Sequence, residues 1–107
     1  MFKTVLTQDA LTKNWYTATT NKDYPELTGT EKQIAWADKI RRQHVADMIN
    51  KINRLMISNM DKAEASKANI ESILRAIDRI VNSNTDAKFW IENRNNLVSI
   101  TKTYKEA

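Results

Sequence analysis

The chain has 107 residues, 17 of them basic and 13 acidic, with one glycine, one proline and no cysteine. That length is one domain, and the missing cysteine excludes disulfides, zinc ribbons and thiol catalysis. A fold with many tight β-turns would draw on more glycine and proline than this, so the composition points to helices.

Residues 1–27 are the least regular part. Phe2, Val5 and Leu6 suit a short strand, and Trp15 to Thr20 is rich in aromatic and β-branched types. Asn14 and the stretch Asn21-Lys22-Asp23 have turn chemistry. The expectation is an N-terminal β-hairpin or an irregular arm, followed by a helical body over 28–107, all in one domain.

After Pro25, the run Thr28-Gly29-Thr30-Glu31-Lys32-Gln33 reads as a helix start. Thr28 with Glu31, or Thr30 with Gln33, has the spacing of a capping box. Apolar residues then recur at Ile34, Ala37, Ile40, Val45, Met48, Ile49, Ile52, Leu55 and Met56, which predicts a long helix over about 30–59. Asn59-Met60-Asp61 is the expected break, with Asp61 and Glu64 as a second capping pair. Ile70, Ile73, Leu74, Ile77, Ile80 and Val81 predict a second helix over about 62–82, packing back on the first as a long antiparallel hairpin. Asn82-Ser83-Asn84 terminates it, and Thr85 or Asp86 caps a third short helix over about 86–95. The tail from Leu97 to Tyr104 suits a fourth short helix by spacing and a strand by its β-branched residues.

The positive charge is not spread evenly. Between residues 31 and 60, Lys32, Lys39, Arg41, Arg42, Lys51 and Arg54 outnumber Glu31, Asp38 and Asp47, while the rest of the chain is nearly balanced. Lys32, Lys39 and Arg42 share a face of the predicted helix with Trp36 on or beside it. Charge interleaved with an aromatic ring is the chemistry of a nucleic-acid surface. The plainer reading, favoured because the excess is small, is a solvated face with Trp36 packed inward. Phe89 and Trp90 are adjacent and cannot both point into one core. Trp90, Asn93 and Arg94 therefore offer either an interaction surface or the closure of a core, with Arg94 over a ring.

No catalytic or metal-binding set is visible, and no cofactor is expected. His44 is the only histidine, Gly29 alone cannot build a phosphate loop, and the carboxylates mostly lie one helical turn from a base. Asp38 with Arg42 and Glu71 with Arg75 read as surface ion pairs. No segment has the length of a membrane span or a signal-peptide core, so a cytoplasmic protein without a membrane partner is expected.

Two stretches carry a resemblance. Glu26-Leu27-Thr28-Gly29-Thr30-Glu31-Lys32-Gln33-Ile34-Ala35-Trp36-Ala37-Asp38-Lys39-Ile40-Arg41 is similar to an L-x-G-[ST]-E-K-Q-x-x-W-A-x-x-I-R segment. Asp86-Ala87-Lys88-Phe89-Trp90-Ile91-Glu92-Asn93-Arg94 is similar to a D-A-[KR]-[FW]-W-I-[DE]-N-R segment. Together they resemble a group of small, mostly uncharacterised proteins of bacteriophages, plasmids and integrative elements. The resemblance implies that the two segments form one structural unit, and it does not extend to the first 24 residues. It also implies an accessory role: a non-enzymatic inhibitor or modulator that binds a host or phage protein, for example to block a defence nuclease such as a CRISPR effector. The expected contact residues are Lys32, Gln33, Trp36, Lys39, Arg42, Trp90, Asn93 and Arg94. The alternatives are a weak nucleic-acid binder using Lys32, Lys39, Arg42, Lys51 and Arg54, and a homo-oligomer or homodimer built on the Ile70–Val81 seam.

Overall fold

The computed structural model describes residues 1–8, 16–58 and 63–105. It is mainly helical, with a two-stranded antiparallel sheet formed by β1 (Thr4–Gln8) and β2 (Tyr16–Thr20). Four helices follow: α1 (Glu31–Ser58), α2 (Ala63–Ser83), α3 (Ala87–Glu92) and α4 (Leu97–Thr103). Trp15, Asn14 and the capping pair Asp61 and Glu64 involve positions outside the described residues or side chains.

α1 has 28 residues, a length of about 42 Å at 1.5 Å per residue. The molecule is 47 Å along its longest axis. The 21 residues of α2 add about 31 Å and could not be accommodated in line with α1, so the chain turns back between them. The two helices nevertheless do not form a simple hairpin. α1 packs mainly on α3 and β2, whereas α2 packs mainly on β1 and α4. The small sheet is shared between the long helices rather than laid over them.

The sheet explains this spacing. Its register pairs Thr4 with Thr20 and Leu6 with Ala18. Phe2, Thr4, Tyr16 and Ala18 are buried while Lys3, Val5, Thr17 and Thr19 are exposed, the alternation of a sheet covered on one face. Both outer edges are closed by helix side chains. Asn82 of α2 accepts from the Phe2 amide at 3.2 Å and donates to the Phe2 carbonyl at 2.8 Å. Asp78 accepts from the Thr4 amide at 2.7 Å, and the Thr4 hydroxyl donates to the Leu74 carbonyl at 3.2 Å. On the other edge, Asn53 of α1 accepts from the Ala18 amide at 2.8 Å and donates to its carbonyl at 3.1 Å. A carboxamide supplies one donor and one acceptor, so each asparagine stands in for a residue of a missing neighbour strand.

Partial burial pushes the Asp78 carboxyl above its ordinary value; hydrogen bonds from Thr4 and the charge of Lys3 oppose that rise without cancelling it.

The helix boundaries follow local chemistry. Of the two candidate capping boxes, Thr30 with Gln33 forms: the Gln33 amide donates to Thr30 Oγ1 at 3.2 Å and the Thr30 amide to Gln33 Oε1 at 3.1 Å. Asp86 caps α3 by accepting from the Lys88 amide at 3.0 Å. α3 ends at Glu92, short of the expected 95, because Asn93 turns both its backbone and side-chain donors back to the Phe89 carbonyl, at 3.1 and 2.8 Å. The tail is helical. Thr101 is tolerated there because its hydroxyl donates to the Leu97 carbonyl one turn back, at 2.7 Å.

One core runs through the molecule from Phe2, Tyr16 and Ala18 to Trp90 and Leu97. Most of the Ile70–Val81 seam lies in it, with Ile77, Ile80 and Val81 fully buried. Most of the seam is thus used within the chain, with Ile73 left half-buried. The expected Glu71–Arg75 ion pair does not close, whereas Asp38 and Arg42 meet at 2.8 Å.

Replacing Asn53 or Asn82 by Ala strands a backbone amide and a carbonyl at a half-buried edge. Each change should lower unfolding free energy by about 1–3 kcal/mol, read from urea denaturation. Asn53→Asp keeps the acceptor and loses the donor, so it should also destabilise.

Candidate functional site

The segments before α1 and before α3 are joined by backbone hydrogen bonds. Thr28 donates its amide to the Thr85 carbonyl at 2.8 Å and accepts from the Ala87 amide at 2.9 Å, so residues on either side of α1 and α2 meet in a short parallel bridge. Gly29 follows at φ +142°, where side chains are strained. A Cβ there would also sit 3.0 Å from Gln33 Oε1 and 3.2 Å from Ala87 Cβ, so glycine lets the cap of α1 press against the start of α3.

This junction separates the two candidate tryptophans. Trp90 is fully buried, its indole N–H donating to the Asn84 carbonyl at 2.8 Å, with Phe89 edge-on at 5.2 Å. It can offer no surface. Gln33 and Asn93 are half-buried and serve as caps. Trp36, which the plainer reading packs inward, is instead 49% exposed. The guanidinium of Arg94 lies 5.2 Å from its ring and is held there by a hydrogen bond to the Ile91 carbonyl at the end of α3. Only part of the expected contact set therefore remains on the surface.

Trp36, Lys39 and Arg94 line an open groove of about 590 Å³ between α1 and the segment leading into α4. Val98, 47% exposed, stands on its other wall beside Asn95 and Asn96. The groove continues along α1 past Asp47, Lys51 and Arg54, again against Val98. Lys32 is exposed at the start of α1. Arg42 departs from this arrangement. It turns to the other side of the helix, pairing with Asp38 and stacking 4.3 Å from the Tyr24 ring. Val98 and the two asparagines were not legible as site residues, because their exposure depends on how α4 docks.

Two polar residues of α1 point inward. Arg41 is buried, donating to the Pro25 carbonyl at 2.8 Å and to Asp38 at 2.5 Å, and it thereby fastens the loop before α1. Asp38 is partly desolvated, which by itself would raise its pKa, but hydrogen bonds from Arg42 and Arg41 outweigh this and hold the carboxyl below its ordinary value. His44 is buried with Nε2 2.9 Å from Thr101 Oγ1. Since that hydroxyl already donates to Leu97, its oxygen must accept, which places the proton of neutral His44 on Nε2. The histidine ties α1 to α4 and so sets the width of the groove.

Among the described residues, no three His, Cys, Asp or Glu side chains gather as a metal site, and no helix is long and apolar enough to cross a membrane. No known protein family, curated protein or solved structure matches the chain.

Burial pushes the His44 pKa below 6.5, and the nearby Asp47 charge offsets this only in part. The unfolded chain then takes up a proton near pH 6.5 that the folded protein accepts only at lower pH. Stability is complete above 6.5 and falls as pH drops through the window down to the folded value. Asp78, raised above 3.8, works in the opposite sense at more acidic pH. The thermal midpoint should fall on going from about pH 7 to about pH 5.5, and should fall less in His44→Gln, which retains a donor toward Thr101.

Proposed function

We propose that the protein is a non-enzymatic binding module that holds a protein partner in the α1/α4 groove and acts by covering the partner's working surface. The observation that carries this reading is the exposed Trp36 with Arg94 over its ring, beside Lys39 in a groove that Val98 also lines. Tryptophan and arginine are the residue types that most often dominate protein interfaces, and an apolar centre with a polar rim is the usual interface anatomy. The Arg94 guanidinium is already hydrogen-bonded to Ile91 before any partner arrives, which reduces its ordering cost on binding. The resemblance to small mobile-element proteins supports a cytoplasmic inhibitor or modulator of host machinery, anti-defence proteins such as CRISPR inhibitors included.

A second reading is favoured by one specific feature. Lys39, Arg94, Lys51 and Arg54 follow the groove along α1 with Asp47 as the acidic residue among them. A basic track beside a tryptophan suits single-stranded nucleic acid. Against it, one side of the Trp36 ring is attended by Arg94, which limits stacking of a base.

Affinity capture from host lysate with and without nuclease separates the two. A protein retained after nuclease treatment, and lost about 30-fold or more on Trp36→Ala or Lys39→Glu, is the expected result. Both positions are exposed, so the variants should melt close to the parent. Retention that disappears with nuclease, and in vitro affinity that falls steeply with salt, would assign the groove to nucleic acid instead.

A further inference from the structure

A second concavity lies farther along α1, where α2 and α4 approach it. Its floor is apolar: Met48, Ile52 and Leu55 from α1, Ile73 and Ala76 from α2, and Val98 from α4. Its rim carries Lys51, Lys102 and Lys105, and no carboxylate lines it among the described residues. The volume is about 350 Å³, at the small end of the range for ligand sites. Leu55 and Val98 are 52% and 47% exposed, so the site leaves hydrocarbon in contact with water. Lys105 is held at the edge by donating to Asn69 Oδ1 at 2.8 Å. The aliphatic stems of the lysines extend the apolar walls, while their ammonium groups lie at the mouth.

We propose that this cavity binds an anionic amphiphile, specifically a free medium-chain alkyl carboxylate, with its tail on the Ile52–Ile73–Val98 floor and its head among Lys51, Lys102 and Lys105. Among the described residues no carboxylate pairs with these three lysines, and cations around an apolar slot select a ligand that is hydrocarbon at one end and negative at the other. A neutral hydrocarbon would leave the lysines unused, and a hydrophilic anion would leave the floor wet. Trp36 lies about 24 Å along the helix from Ile52, so the two sites are centred apart although Val98 lines both.

The test is titration of the full chain with octanoate, decanoate and dodecanoate below their micellar concentrations, followed by methyl NMR and calorimetry. Saturable one-to-one shifts at Met48, Ile52, Ile73 and Val98 are expected, with affinity rising up to about fourfold per added methylene. The exposed-residue variant Val98→Glu should weaken dodecanoate at least about tenfold, as should the triple change Lys51→Gln, Lys102→Gln and Lys105→Gln. Dodecyltrimethylammonium should not bind. Equal binding of that cation, shifts located elsewhere, or an unchanged triple variant would overturn the proposal. So would sedimentation with phosphatidylglycerol vesicles in the absence of any dodecanoate binding, which would assign the lysines to a lipid surface.

Discussion

The open edges of a two-stranded sheet are the constraint around which this molecule is arranged. An isolated hairpin leaves backbone donors and acceptors on both sides, and alone it is marginally stable at best. Here Asn53 closes one side from α1, and Asn82 with Asp78 closes the other from α2. Phe2 and Thr4 are two residues apart, so their outward-facing amides point the same way and are met by side chains one helical turn apart, at positions 82 and 78. The same strands bury Phe2, Thr4, Tyr16 and Ala18 against the helices. Edge hydrogen bonds thus fix the register, and face burial stabilises the contact. The arrangement also removes two strand edges that would otherwise be templates for pairing with another chain.

Inserting a sheet between two helices has a geometrical consequence. Once each helix is committed to a different strand, α1 and α2 cannot bury one another along their whole length, and α3 and α4 must fill what remains. α3 enters through the Thr28–Asp86 bridge, with Trp90 as its buried anchor. α4 is attached through Leu97 and through the hydrogen bond between His44 and Thr101. Because α4 is only seven residues long, it covers α1 incompletely. The groove and the lysine-rimmed cavity are both left by that short coverage, and Val98 belongs to each.

Much of the local structure was legible because local structure has local causes. Apolar spacing marked α1 and α2, Thr30 with Gln33 marked the start of α1, and Asp86 marked α3. The hairpin was visible in the β-branched content of 16–20, although nothing there showed where it would dock. Asn53 and Asn82 were unremarkable in sequence, one in mid-helix and the other in an asparagine-rich end, because their role depends on a strand more than thirty residues away in the chain. Arg41 and His44 interrupt the apolar face of α1 for the same kind of reason: their partners are Pro25 and Thr101. The tryptophans show the limit most clearly. Both sit next to apolar residues at plausible spacing, yet a polar handle on the Asn84 carbonyl accompanies burial of one and the other is left at the surface.

That difference bears on function. The fold is able to bury a large indole and satisfy its N–H, as Trp90 shows, so exposure of Trp36 does not follow from a lack of core. An exposed indole contributes little to folding, since the burial that would stabilise it is not made. A single exposed apolar residue would be ordinary. Trp36 is not single: Arg94 is bonded in place beside it, Lys39 lies on the same wall, and Val98 lines the same groove. His44, buried beneath the groove, holds its two sides at a fixed separation. Side chains that could have been polar without cost to the core are thus apolar or aromatic, and this is what supports the binding role proposed above.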